Sequence, residues 1–186
     1  MKETCVGRKC QVLNTEKTGI ILNLSRWSCD NMIEKYSVSF DKECKIERIT
    51  EEHISLGEKV SEIDFFNRLI RDIQSPEEKT REFSSTILCD FLEFEIVDFD
   101  LDILKLGIEE IIKQLKFEKN VNAEQKLAEG LFEFIWSEKL IKKEELELLE
   151  RMIEIDSYQI CNYLDDEDYL KIPKVKKYVE LKKNCL

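Results

Sequence analysis

The stretch CDFLEFEIVDFDLDILKLG (residues 89–107) alternates acidic and apolar residues almost without a break. Within it, LEFEI places its apolar residues at even numbers, whereas VDFDLDI places them at odd numbers. A single β-strand would then present mixed faces unless it contained a bulge. A helix that ends near Ile96, a short connection and a new helix capped by Asp98 or Asp100 explain the change of phase. The stretch therefore predicts an acidic elbow between two antiparallel helices.

Apolar residues outside this elbow also recur at a spacing of three or four, which is typical of amphipathic helices. The segment SPEEK offers Ser75 as a cap, Pro76 at the first helical position and Glu78 at the third, so it predicts a helix start. The segment NAEQ repeats this pattern with Asn122 as the cap. The predicted helices cover about 58–73, 76–96, 101–117, 122–135, 143–155, 157–164 and 173–184.

The N-terminal part of the chain has the period of two that is typical of β-strands. The segment KYSVSFDKECKIERI places Tyr36, Val38 and Phe40 on one face, with a three-residue polar turn at 41–43 before the next strand. Two shorter apolar runs lie on either side of a turn at 15–19. We therefore predict an antiparallel sheet of three or four strands, which would be too small to be stable unless it packs on the helices.

These patterns together predict an α+β fold that is mostly α. A small N-terminal antiparallel sheet packs on a helical array of αα-hairpins in this prediction. Residues 1–57 form a β-rich subdomain and residues 58–186 an acidic helical domain. A chain of 186 residues has the size of one domain, so we expect the two parts to form one cooperative globular unit.

A faint internal repeat relates the helical segments. Residues 91–94 (FLEF) match residues 131–134 (LFEF) at an offset of 40, and the apolar positions of the helices that follow match at an offset of 42. Two αα-hairpins of this length resemble the units of a HEAT or armadillo-type solenoid. An irregular helical bundle explains the same spacing, so both alternatives stay open.

The net charge of −11 is unevenly distributed along the chain. Residues 1–57 are neutral, residues 58–168 carry fourteen basic and thirty acidic residues, and residues 169–186 carry six lysines against one glutamate. Phosphate binding needs clustered cations, so the acidic middle disfavours direct nucleic-acid binding. It favours a basic protein partner, whose association an opposite field accelerates.

Catalytic and metal-binding patterns are weak in this sequence. His53 is the single histidine, and no nucleophile motif accompanies it. Asp98, Asp100 and Asp102 alternate as in a calcium loop, but Ile103 stands where the loop needs glycine. We therefore predict no cofactor, no metal and no enzymatic activity. An enzyme that uses carboxylates with a divalent ion is the third-ranked alternative.

The number of cysteines and the lack of long apolar runs indicate in which cellular compartment we expect the protein. Cys5, Cys10, Cys29 and Cys44 lack the paired C-x2-C spacing of zinc ribbons. An odd total of seven cysteines is typical of reduced thiols. There is no run of 18 apolar residues and no apolar leader segment, so we expect no membrane span and a cytoplasmic location.

The acids of the elbow suggest a binding function. Acids at the start of the second helix stabilise its dipole, but Asp90, Glu93 and Glu95 precede the elbow, at a helix end where anions are unfavourable. We interpret this placement as an adaptation for binding. The predicted partner-binding residues are Asp90, Glu93, Glu95, Asp98, Asp100, Asp102, Asp165, Asp166, Asp168 and Tyr169.

The first functional hypothesis is an acidic inhibitor that neutralises a basic partner, such as a bacterial toxin or nuclease domain. The analogy is with the role of immunity proteins, since no motif of such a family is present. The alternative is a helical-repeat adaptor that binds a peptide or a partner helix. The sequence leaves the oligomeric state open.

Overall fold

A computed structural model describes residues 5–25, 35–94, 99–137, 139–155, 157–166 and 168–183. Over these residues the chain forms an N-terminal five-stranded antiparallel sheet followed by seven α-helices. The prediction of an α+β, mostly α fold is thereby confirmed. No helix in the described part is long and apolar enough to cross a membrane.

The sheet contains five strands rather than three or four. In chain order they are β1 (Arg8–Val12), β2 (Thr18–Ser25), β3 (Lys35–Phe40), β4 (Ile46–Thr50) and β5 (Ile54–Lys59), arranged β4-β3-β2-β1-β5. The unpredicted fifth strand pairs antiparallel with β1, with Ile54 opposite Val12 and Leu56 opposite Cys10. Five of its six residues are exposed, and its apolar residues are limited to Ile54 and Leu56, which are too few to establish a period in the sequence.

The face predicted for the third strand is confirmed. Tyr36, Val38 and Phe40 are all buried and belong to one cluster with Cys5, Cys10 and Ile21. The connection to β4 is longer than predicted, because residues 41–45 separate the two strands. Cys44 lies in this loop with φ of 41°, a left-handed conformation that a strand residue does not adopt.

The helices follow the predicted positions with small shifts. They are α1 (Glu62–Asp72), α2 (Glu78–Phe94), α3 (Leu101–Leu115), α4 (Val121–Trp136), α5 (Lys142–Ile155), α6 (Tyr158–Leu164) and α7 (Pro173–Lys183). The first begins four residues later than predicted, because β5 occupies the preceding segment and Ser61 caps the helix through a bond from the Asp64 amide.

Of the three caps predicted for helix starts, the one that opens α3 is confirmed and the other two are shifted. Asp100 caps α3, accepting from the amides of Asp102 and Ile103 at 2.9 and 3.2 Å. Asn120, not Asn122, caps α4 by accepting from the Ala123 amide at 2.8 Å, which leaves Asn122 inside the first turn.

The start of α2 is also shifted. Ser75 accepts from the Glu77 amide at 3.1 Å, and its hydroxyl donates to the Cys44 carbonyl at 2.5 Å. The helix itself begins at Glu78, so Pro76 precedes it instead of opening it. The elbow residues 95–98, including Glu95, Asp98 and the change of phase, lie outside the described residues.

Contacts divide the chain into two compact units, residues 1–87 and residues 88–186. The division lies within α2, whereas the pattern of the sequence changes at 57/58. That sequence boundary stays a prediction about subdomains. We refer below to the sheet unit and the helical unit.

A network of charged residues attaches α1 to β3 within the sheet unit. The Asp72 carboxylate is fully buried and accepts from the Ser39 hydroxyl and from Nε and Nη2 of Arg71, the latter two at 2.8 and 2.6 Å. Arg71 also donates to the Phe40 carbonyl at 2.8 Å. Arg68 pairs with the Asp41 carboxylate at the rim. The buried side chains of Ser39 and Asp72 are therefore hydrogen-bonded to each other and to Arg71.

Within the helical unit, helices about forty residues apart are neighbours. Arg151 of α5 donates to both carboxylate oxygens of Glu109 in α3, each at 2.5 Å, an offset of 42 residues. Lys105 of α3 pairs with Glu144 of α5 at 2.7 Å. The offset seen in the apolar pattern thus relates helices that lie side by side.

Candidate acidic interaction site

A glycine determines how closely α2 and α4 approach each other. A Cβ atom at Gly130 of α4 would lie 3.1 Å from Cδ1 of Leu92 and 3.5 Å from Cα of Cys89 in α2. The absence of a side chain lets the two helix backbones come together at this point. As a result, the polar residues beside this contact on α2 lie next to those on α4.

Four carboxylates and one lysine gather around this contact. Asp90 and Glu93 of α2 are exposed, and Glu129 and Glu133 of α4 are half-buried. We call these four residues the acidic cluster. Lys126 of α4 pairs with Glu129 at 2.6 Å. Within the described part of the chain, Asp90, Glu93 and Glu133 form no ion pair.

The pKa values show that these carboxylates repel one another. Burial raises the pKa of Glu133, and the charges of Glu93 and Glu129 raise it further. Burial also raises the pKa of Asp90, where Lys126 opposes the rise and Glu129 adds to it. The cluster therefore holds more negative charge than its single lysine compensates, and a cationic group is the ligand that its field favours.

Two side chains beneath the cluster are held in their neutral forms. Burial, with a contribution from Glu129, raises the pKa of the Cys89 thiol to about 12. Burial likewise raises the pKa of Tyr163 of α6, again with a contribution from Glu129. A thiol that stays protonated at neutral pH is a poor nucleophile. The surroundings of Cys89 therefore do not activate its thiol.

Aromatic side chains continue the site along α4. Phe132 is buried, stacks on Tyr163 with ring centroids 5.0 Å apart, and lies 5.8 Å from the rings of both Trp136 and Tyr169. Trp136 is 50% exposed and Phe94, at the end of α2, is 67% exposed. Large aromatic side chains beside charges are the residues that most often anchor a protein partner.

The acids predicted near the C-terminal end of the chain form a second group. Asp166, Asp168 and Tyr169 border a cleft of about 670 Å³ beside Trp136. Tyr169 is buried, and its hydroxyl oxygen accepts a 2.7 Å hydrogen bond from Nε1 of Trp136. Asp165 lies outside this cleft and pairs with Lys183 at 2.6 Å.

The structure thus distributes the predicted residues that it describes over four places, one of which is the ion pair of Asp165 with Lys183 at the end of α6. Asp90 and Glu93 belong to the acidic cluster, and Asp166, Asp168 and Tyr169 border the cleft. Asp100 and Asp102 lie at the N-terminus of α3, where Asp100 is the helix cap. Glu95 and Asp98 are outside the described residues.

The sequence interpretation missed Glu129, Glu133 and Lys126. One signal was present, because the offset of 40 that matches residues 91–94 with 131–134 pairs Glu93 with Glu133. Glu129 has no such signal. Its place in the cluster depends on the close approach of α2 and α4 at Gly130, which periodicity does not reveal.

The described residues offer few groups for metal binding or catalysis. No group of three or more His, Cys, Asp or Glu side chains is placed there to hold a metal ion. His53 is exposed and its Nδ1 lies 2.6 Å from the Thr50 hydroxyl. Cys5, Cys10, Cys89 and Cys161 are buried free thiols.

No protein-family model, no curated protein sequence and no solved structure matches this chain.

Proposed function

We propose that this protein binds and neutralises a basic protein partner through the acidic cluster. The observation that supports the proposal is the convergence of Asp90, Glu93 and Glu133. None of the three forms an ion pair among the described residues, and Lys126 is the one cation whose charge acts on Asp90 and Glu133 there. Structural carboxylates usually pair or cap, as Asp72 and Asp100 do. Carboxylates that repel each other at a surface lower stability, and a basic ligand removes that penalty.

The class of partner follows from the charge. The chain carries a net charge of −11, so long-range attraction favours a strongly basic protein. We propose a bacterial toxin or nuclease domain as this partner, because such domains bind phosphate through cationic surfaces that an acidic protein can cover. The protein then acts as an inhibitor without catalytic activity or a cofactor, in the manner of an immunity protein.

The test uses the intact protein as bait in a lysate of the source cells, with matched charge variants. Glu93→Gln with Glu133→Gln removes two charges of the cluster. Glu147→Gln with Glu154→Gln removes two charges from exposed positions of α5 and is the control. We expect one basic protein to be retained by the wild type and the control, and its retention to fall at least tenfold with the cluster variant.

Two further measurements complete this experiment: the salt dependence of retention and the activity of the retained partner. Retention should decrease as the salt concentration rises from about 50 to 500 mM, because the Debye length shortens. The purified partner should lose its toxic or nuclease activity when one equivalent of this protein is added. Equal retention by both double variants would refute the cluster as the binding site. Binding without loss of activity would refute the inhibitor role.

A second candidate function is a helical-repeat adaptor that binds a peptide or a partner helix. The side-by-side arrangement of α3 and α5, with Arg151 on Glu109, favours it because stacked helical hairpins form extended binding surfaces. This function needs no focus of charge. Under it, the cluster variant and the control would retain the same partner equally, and salt would have little effect.

A further inference from the structure

The cleft beside Trp136 has the dimensions of a ligand site. Its volume is about 670 Å³, within the range of about 300–1,000 Å³ that is usual for small-molecule and side-chain pockets. It lies within the helical unit, between the end of α4, the start of α5 and the 3-10 turn Tyr169–Lys171. We call it the Trp136 cleft. Its lining residues are Trp136, Lys142, Glu145, Asp166, Asp168, Tyr169, Lys171 and Ile172.

The charges of the lining leave one carboxylate without a cation. Lys142 pairs with Glu145 at 2.9 Å, and Lys171 pairs with Asp168 at 2.5 Å. Asp166 uses one carboxylate oxygen to accept from the Asp168 amide at 2.9 Å. It forms no ion pair within the described part of the chain. The lining therefore has a net charge of −1, located at Asp166.

The aromatic residues of the cleft specify the shape of the cation. The indole N–H of Trp136 is already donated to Tyr169, so the ring rather than the N–H is available to a ligand, and the residue is 50% exposed. Burial is the largest cause of the raised pKa of the Tyr169 hydroxyl. The charges of Glu145, Asp166 and Asp168 raise it further, so all three act on that hydroxyl. A planar cation that stacks on an aromatic ring and donates to a carboxylate matches this combination.

We propose that the Trp136 cleft binds an arginine side chain of the basic protein partner, with the guanidinium against the indole and hydrogen-bonded to Asp166. The inference rests on the proposed function, because it assigns the anchor of the same partner. Glu129, Glu133 and Trp136 recur at intervals of four and three, so they share one face of α4. Trp136 lies about 4.5 Å beyond Glu133 along the helix axis. One partner can therefore contact the cluster and fill the cleft.

The test does not require the partner. The probe is N-acetyl-arginine amide, and the uncharged isostere N-acetyl-citrulline amide is the control ligand. Nitrogen-15 NMR spectra of the full chain follow the indole N–H signal of Trp136, which is identified as the signal that remains in Trp27→Phe. We expect a saturable shift with the arginine probe, with a dissociation constant of about 1–10 mM at low salt, and no saturable shift with citrulline.

Variants at two neighbouring positions distinguish binding in the Trp136 cleft from a general effect of surface charge. Asp166→Asn removes the unpaired charge and keeps an oxygen for the Asp168 amide, so the fold of the turn is retained. Asp165→Asn makes the same change at an acid that lies outside the cleft and pairs with Lys183. We expect Asp166→Asn to weaken the arginine probe at least fivefold and Asp165→Asn to change it by less than twofold.

Each result decides the proposal. An absent arginine shift, an equal citrulline shift, or equal effects of the two variants would overturn the cleft assignment. If the cleft binds arginine but no basic protein depends on the acidic cluster, the proposed function fails and the cleft assignment to that partner fails with it. If the partner depends on Glu93 and Glu133 but the arginine probe has no effect, only the cleft inference fails.

Discussion

The sheet unit and the helical unit each contain a carboxyl group whose pKa burial raises, but their surroundings differ. In the sheet unit, hydrogen bonds from Ser39 and Arg71 oppose the rise for Asp72. In the helical unit, the charges of Glu93 and Glu129 add to the rise for Glu133. The first carboxyl group is hydrogen-bonded to donors within the fold. The second forms no ion pair among the described residues and has like charges beside it, which leaves it open to a ligand.

Under the proposed function, this difference separates a structural use of charge from a binding use. A buried carboxylate with a guanidinium and a hydroxyl fixes the geometry of the elements that supply them, here α1 and β3. A group of like charges at a surface fixes nothing and lowers stability, so its removal should have the opposite effect.

The largest effect is expected from Asp72→Ala. Removing this buried carboxylate leaves Nε of Arg71 and the Ser39 hydroxyl without their acceptor, so the free energy of unfolding should fall by about 3–5 kcal/mol. Urea unfolding of the full chain, followed by circular dichroism, measures this change.

Glu62→Ala is the control for this variant, since Glu62 is an exposed residue of the same helix. We expect it to lower the free energy of unfolding by less than about 1 kcal/mol, through its favourable place at the helix start. A loss below about 1 kcal/mol for Asp72→Ala would show that the sheet unit does not depend on this network.

The features of the fold that the sequence reveals are those that depend on neighbouring residues along the chain. Tyr36, Val38 and Phe40 were assigned to one face because a period of two is a local property of the chain. The cap of α3 is predicted at Asp98 or Asp100 from local sequence in the same way, and the structure places it at Asp100. The fifth strand was missed, because its exposed residues are held by pairing with β1 and carry no apolar period.

Only part of the acidic cluster can be predicted from the sequence, and the reason is physical. Asp90 and Glu93 could be singled out, because anions near a helix C-terminus oppose the local dipole. Glu129 and Glu133 look like ordinary exposed positions of an amphipathic helix. They become part of a cluster only because Gly130 lets α2 and α4 approach closely, and such long-range contacts leave little local trace.

A smaller effect of opposite sign is expected from Glu133→Gln. Glu129 and Glu133 are like charges four residues apart on α4, a pair that costs about 0.2–0.5 kcal/mol, so the variant should be more stable by that amount. Thermal unfolding at low salt should show a higher midpoint than the wild type. Glu129→Gln should bring no gain, because it removes the partner of Lys126.

The pH dependence of this gain follows from the raised pKa of Glu133. The folded state binds the proton more tightly than the unfolded chain, so the penalty is present above the folded pKa. It disappears as the pH falls toward the ordinary glutamate value of about 4.3. The difference between wild type and Glu133→Gln should therefore shrink between pH 7 and pH 4.5. A gain that ignored both pH and salt would contradict the electrostatic explanation.

The smallest effect is expected from Lys126→Gln, which removes the cation of the cluster. The field around Glu129 and Glu133 becomes more negative, so the basic partner should bind about twofold to fivefold more tightly, as expected for one weakly screened charge. Calorimetric titration at low salt measures this, with Lys113→Gln as the control, because Lys113 pairs with Glu110 on α3. Weaker binding of Lys126→Gln would mean that the lysine itself contacts the partner or holds Glu129 in place. The cluster would then be a compensated network like that of Asp72, and its repulsion would no longer argue for a binding function.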